Sequence, residues 1–141
     1  MAVVAATVGF LTACSGTDPV RGDTTSARTP ANYFRVGDCL QDPVTQGEPA
    51  TIVDCAKPHA AEVYAIFALP DGPFPGTNKV IGYRKQCGAA ARAIASDTGA
   101  GNDPSLKTIV RSPDEHSWAL GDRSVTCIAS SDHPRTGSIR G

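Results

Sequence analysis

The stretch Val53-Asp-Cys-Ala-Lys-Pro-His-Ala-Ala-Glu-Val-Tyr-Ala-Ile-Phe-Ala-Leu69 decides the fold. It joins a short strand ending at Cys55, a Pro58-His59 turn and the most strand-like run in the chain. Val63, Ala65, Phe67 and Leu69 alternate with Glu62, Tyr64, Ile66 and Ala68, and both sets are largely apolar from Tyr64 onward. That pattern predicts a central strand, Ala61 to Leu69, covered on both faces.

Working outward, Tyr33-Phe34-Arg35-Val36 and Gly37-Asp38-Cys39-Leu40 read as a first short strand that turns at Gly-Asp, and Thr51 to Cys55 as a second. Beyond Leu69, the prolines and glycines from Pro70 to Gly76 stop the strand. Asn78, with Thr77 as the competing choice, is the expected cap of a helix. Val80, Tyr83, Cys87, Ala91 and Ile94 then recur at helical spacing and share one face as far as about Ser96. Leu106 to Arg111 makes a fourth strand. Ser112 as cap, Pro113 at the first helical position and Glu115 three residues after the cap predict one helical turn through Trp118. Arg123 to Ser130 is the last strand, with Val125 and Cys127 on one face. The expected class is α+β, a small antiparallel sheet with one main helix packed on a face.

At 141 residues, 40% hydrophobic and 6% aromatic, the chain has material for one small domain plus tails. The net charge of -1 arises from interspersed acids and bases, which leaves no electrostatic footprint for nucleic acid. Eleven prolines and fourteen glycines imply many turns, and a core this small profits from cross-links.

The apolar run at residues 2–11 is too short for a stable bilayer span and suits the core of a signal peptide. Leu11-Thr12-Ala13-Cys14 follows it and resembles the bacterial lipobox, whose cysteine is lipidated. No Lys or Arg precedes the apolar core, so the expectation includes a start upstream of Met1 or inefficient export. Residues 1–13 are thus read as a leader and 14–32 as a lipid-anchored tether. The tether's one large aliphatic residue, Val20, cannot offset the chain entropy of the segment. Residues 33–130 are the folded domain and 131–141 a disordered tail.

With Cys14 assigned to lipid, cysteines 39, 55, 87 and 127 remain in a chain addressed to an oxidising compartment. Three pairings are open to four cysteines. We expect Cys39–Cys55, joining neighbouring strands, and Cys87–Cys127, joining the helix to the last strand. Structural zinc commonly uses cysteines two to four residues apart, a spacing that this chain lacks.

His59 and Glu62, beside Asp54, are the first candidates for chemistry, since a histidine and a carboxylate can bind a metal or exchange protons. On a regular strand they would point to opposite faces, and a histidine after Pro58 can instead satisfy backbone groups of its turn. Trp118 with Arg123 is the second candidate, an aromatic platform with a cation suited to a sugar or peptide; its competing role is core filling, with Arg123 paired to a carboxylate. Asp114, His116, Ser112 and Ser117 include a hydrolase's residue types, but no Gly-x-Ser-x-Gly elbow accompanies them. Asp38 and Asp54 read as turn caps.

The ordered set Val36-Gly37-Asp38-Cys39, Val53-Asp54-Cys55, Pro58-His59, Glu62-Val63, Pro75-Gly76, Cys87, Ser117-Trp118, Gly121-Asp122-Arg123 and Cys127 resembles the septum formation domain of actinobacterial membrane proteins and lipoproteins. The resemblance covers about Tyr33 to Ser130. It implies a place in the cell envelope and a link with division or wall growth, with neither a cofactor nor a catalytic activity attached. The resulting expectation is a non-enzymatic binding or adaptor module on the extracytoplasmic face of the membrane, held there by lipid on Cys14. Its expected partners are division or cell-wall synthesis proteins, and His59, Glu62, Trp118 and Arg123 form its candidate partner surface. The alternative is a small wall-directed hydrolase or metal-dependent enzyme using His59 and Glu62.

Overall fold

The computed structural model describes residues 27–29, 34–44, 49–98, 103 and 105–141. The leader, Cys14 and most of the expected tether lie outside the described residues. Strands β1 (Ala27–Thr29), β2 (Cys39–Leu40), β3 (Ala50–Val53), β4 (His59–Ala68), β5 (Leu106–Arg111) and β6 (Ser124–Arg135) form one antiparallel sheet in the order β1-β3-β2-β4-β6-β5. Three helices accompany them, α1 (Thr77–Gly82), α2 (Arg84–Thr98) and α3 (Glu115–Ala119). The α+β class, the main helical segment and both disulfides agree with the sequence reading.

The central strand is β4, flanked by β2 and β6. Its apolar run has the two-sided cover that the sequence implied, but strict alternation fails at Tyr64. The register with β6 shifts between Val63, opposite Ile128, and Ala65, opposite Cys127. This bulge puts Tyr64 and Ala65 together on the helix-covered face, with Phe67, Val125 and Cys127. Val63 and Ile66 fall on the other face, with Leu40, Ala61 and Ile128. One extra residue has reversed the parity of the strand.

On the first face the expected helical stripe of Val80, Tyr83, Cys87, Ala91 and Ile94 packs against the sheet together with Trp118. The helix is interrupted at Tyr83, and its start differs from expectation. Gly76 is the N-cap, with φ 88° and no side-chain bond. The chain enters by a left-handed turn that glycine adopts without strain, so neither Asn78 nor Thr77 acts as a cap. On the second face Phe34 and Val44 are buried against Leu40, Val63 and Ile128. The Arg111 guanidinium lies 5.7 Å from the centre of the Phe34 ring.

The α3 helix also starts later than expected. Asp114, not Ser112, caps it: the Asp114 carboxylate accepts from Ser117 N at 2.7 Å and Ser117 Oγ accepts from Asp114 N at 3.1 Å. This reciprocal pair satisfies both donors within one turn. The same bonds hold the Asp114 carboxyl below the usual carboxylate range.

Two parts of the expected domain plan need correction. Residues 27–29, read as tether, pair with β3. The segment 131–141, read as a disordered tail, is ordered: β6 continues to Arg135, Ser131 and Ile139 are buried, and Gly137 N donates to Cys55 O at 2.6 Å. Its one large aliphatic side chain, Ile139, joins the helix-side core, and that burial offsets ordering entropy that the polar composition alone could not.

Candidate functional site

At the start of β4 the sheet register is irregular, His59 facing Arg135 and Ala61 facing Ser130. Strand alternation therefore does not hold there, and His59 and Glu62 converge. A ring nitrogen of His59, a carboxylate oxygen of Glu62 and Sγ of Cys39 all lie within 4.8 Å of one another. All three residues are at most 1% exposed. Cys39 arrives there because it pairs directly across from Glu62, and its sulfur is bonded to Cys55.

All but one of the polar groups in the cluster have a hydrogen-bond partner or a covalent bond. His59 Nδ1 lies 2.9 Å from Lys57 O, the turn-satisfying role open to a histidine after Pro58. Its Nε2 is buried without a hydrogen-bond partner. Glu62 accepts from Ser138 Oγ and from Ile139 N, each at 2.7 Å. Arg140 Nη1 donates a further bond to Tyr64 O at 2.8 Å. Glu62 thus fastens the last residues over the sheet, each of its carboxyl oxygens holding one donor of that segment.

The expected partner surface does not form. His59 and Glu62 are buried at one end of β4, whereas Trp118 packs beside Leu69, which follows the other end. Trp118 is 5% exposed, donates Nε1–H to Gly72 O at 2.9 Å and meets Phe74 edge-on. Arg123 stacks on the Trp118 ring at 3.8 Å from its centre, donates to Trp118 O at 2.7 Å and pairs with Asp71 at 3.4 Å. The platform is occupied by the chain's own cation, so this pair holds the loop after β4. His59 and Glu62 are likewise covered by the chain itself, both almost fully buried. Asp38 and Asp54 are turn caps as expected, accepting from Arg35 N and Ala56 N.

An open concavity lies elsewhere, between α2 and the sheet, with a volume of about 250 Å³. Ala91, Ile94, Ala95, Leu106, Ala129 and Ile139 supply apolar walls. Tyr64 lines it as well, its hydroxyl engaged by Cys87 O and Thr108 Oγ1, and burial pushes its ionisation above the ordinary 10.0. Arg92, Lys107 and Asp103, all exposed, add two cations and one anion to the lining. Lys107 is shared with Asp132 at 2.7 Å. The Ser105 hydroxyl and amide hold the Asp103 carboxyl below its usual range, so it is charged at neutral pH. This mixture suits a small ligand with an apolar body and charged ends. Neither histidine nor cysteine lines it, and no nucleophile–base pair is formed among the described lining residues.

Reading by sequence missed the cavity, because α2 and β5 meet only in the folded sheet, and missed Ser138, Ile139 and Arg140. Ile139 was the available signal, as the one large aliphatic residue in an otherwise polar segment.

No helix among the described residues is long and apolar enough to cross a membrane. No curated protein and no solved structure matches the chain. A family model described as septum formation matches residues 11–127. That match spans the sheet through Cys127, both disulfides and all four singled-out side chains, and on it the chain belongs to the septum formation family.

Proposed function

We propose that this member of the septum formation family is a binding or adaptor module without catalytic activity, anchored by lipid on Cys14 to the extracytoplasmic face of the cell membrane. One observation carries the non-catalytic reading: His59 and Glu62 are sealed under the C-terminal segment, whereas the open concavity beside α2 has apolar walls and exposed charged groups in its lining. Two disulfides suit an oxidising compartment, and the Leu11-Thr12-Ala13-Cys14 motif supplies the anchor. Stable retention takes a second acyl chain or another signal besides one lipid, because a single chain binds marginally.

The test is covalent cross-linking in the native envelope followed by recovery of the protein, comparing the unaltered chain with Arg92→Glu and Ala95→Trp. Arg92 is exposed and Ala95 lines the cavity. Division or wall-synthesis proteins captured by the unaltered chain and lost from both folded variants support the reading; equal capture by all three places the contact elsewhere. In the same cells Cys14→Ala is expected to move the protein from the membrane to the soluble fraction. Unchanged retention would remove the lipid anchor from the proposal.

A further inference from the structure

The two disulfides sit in different surroundings. Cys87 and Cys127 are both fully buried in the apolar core between α2 and β6. Cys55, by contrast, is half-buried, and its partner Cys39 lies beside an imidazole and a carboxylate. His59 has one ring nitrogen against a backbone carbonyl and the other buried and unpartnered. Metal-ligating histidines commonly have this arrangement, the outer N–H held by a carbonyl and the inner lone pair free. Glu62 is oriented by Ser138 Oγ and Ile139 N in the same supporting manner. A thiolate, an imidazole and a carboxylate together form a donor set for a borderline divalent ion such as Zn²⁺.

We propose that opening the Cys39–Cys55 disulfide creates a divalent metal site formed by Cys39, His59 and Glu62, with water as the remaining ligand. The reductant is a dithiol. Its thiolate attacks the sulfur of Cys55, the less buried residue of the bridge, the Cys39–Cys55 bond breaks, and Cys39 leaves as a thiolate. The second thiol of the reductant then displaces Cys55, so the dithiol is oxidised to a disulfide and both cysteines are reduced. Any proton that Cys39 has taken up is released when the metal binds. Tetrahedral ligands at zinc distances lie about 3.3–3.8 Å apart, and the three donor atoms, all within 4.8 Å of one another, reach that spacing by small side-chain rotations. The oxidised chain lacks the thiolate and does not form the site. Metal occupancy thereby reports the redox state of this one bridge.

Cys55→Ser tests the site without a reductant, leaving Cys87–Cys127 closed and Cys39 free; Cys14→Ser in every chain removes the competing thiol. Titrated with Co²⁺ alone, the folded full-length Cys55→Ser protein is expected to bind one equivalent with a thiolate-to-cobalt absorption band in the near ultraviolet. The oxidised protein should show none. Adding His59→Ala or Glu62→Gln should weaken binding at least about 10-fold, and Ser138→Ala about 10-fold through lost orientation. Absence of the band in folded Cys55→Ser, or an equal band with His59→Ala, overturns the proposal. If Cys55→Ser does not fold, the Cys14→Ser chain is reduced with a phosphine until mass mapping shows only Cys39–Cys55 open. The same titration then decides.

Discussion

Glu62 uses both carboxylate oxygens to hold one short segment, a task indistinguishable in the sequence from an acid beside a histidine. Glu62→Gln replaces one acceptor by a donor facing Ser138 Oγ or Ile139 N. The expected loss is about 1–3 kcal/mol, the usual cost of leaving a buried polar group unmatched. It should appear as a lower urea midpoint with unchanged slope and faster amide exchange at Ile139. Tyr64 gives a prediction at the alkaline end. Its folded-state ionisation lies above the ordinary 10.0 because burial disfavours the phenolate. Its contribution to stability is complete below pH 10 and is lost as pH rises from that value through the higher folded one. Tyr64→Phe, which cannot ionise, should flatten the decline in melting temperature above pH 10.

At the scale of elements, strands β3 to β6, the stripe of α1 and α2 and the cysteine pairing were legible because each rests on local periodicity or on residue type. By contrast, β1 was read as tether, and of the expected first strand only Cys39–Leu40 pairs, residues 34–38 forming a turn. The bulge at Tyr64 was not, since nothing in Ala-Glu-Val-Tyr-Ala states what β6 will place opposite. Nor was the convergence of His59 with Glu62, which depends on the irregular register between β4 and β6. The caps were misplaced for a simpler reason: Ser112 and Asp114 both have suitable side chains, and the chain's approach selects between them. The two bridges close spans of 16 and 40 residues, for which the chain-entropy account gives about 3 and about 4 kcal/mol. Replacing Cys87 and Cys127 together by alanine should therefore cost more than replacing Cys39 and Cys55, measured as the difference in urea unfolding free energy. An equal or reversed order would show that native-state packing around the bridges outweighs loop closure.

For the whole molecule, the C-terminal segment ties the start of β4 to the helix side, joining Cys55, Glu62, Tyr64 and the α2 cavity through Gly137 to Arg140. Removing residues 137–141 should lower stability by about 2–4 kcal/mol, as for other losses of a large buried aliphatic group. It should also raise binding of an apolar fluorescent dye, because the cavity loses its Ile139 wall. Unchanged stability and dye binding would mean that the segment contributes little to the core. The central pair of the sheet raises a different matter, that of timing. β4 ends at Ala68, its long partner β6 begins only at Ser124, and α1, α2, β5 and α3 lie between them. Contacts so distant along the chain form slowly. In a chain emerging N-terminus first, β2 and β3 can pair with each other and β2 with β4, while the other edge of β4 waits. That edge belongs to the most apolar run in the domain and remains open to a second chain until β6 arrives. Crowding of nascent copies is therefore the condition under which this fold is most exposed to mispairing.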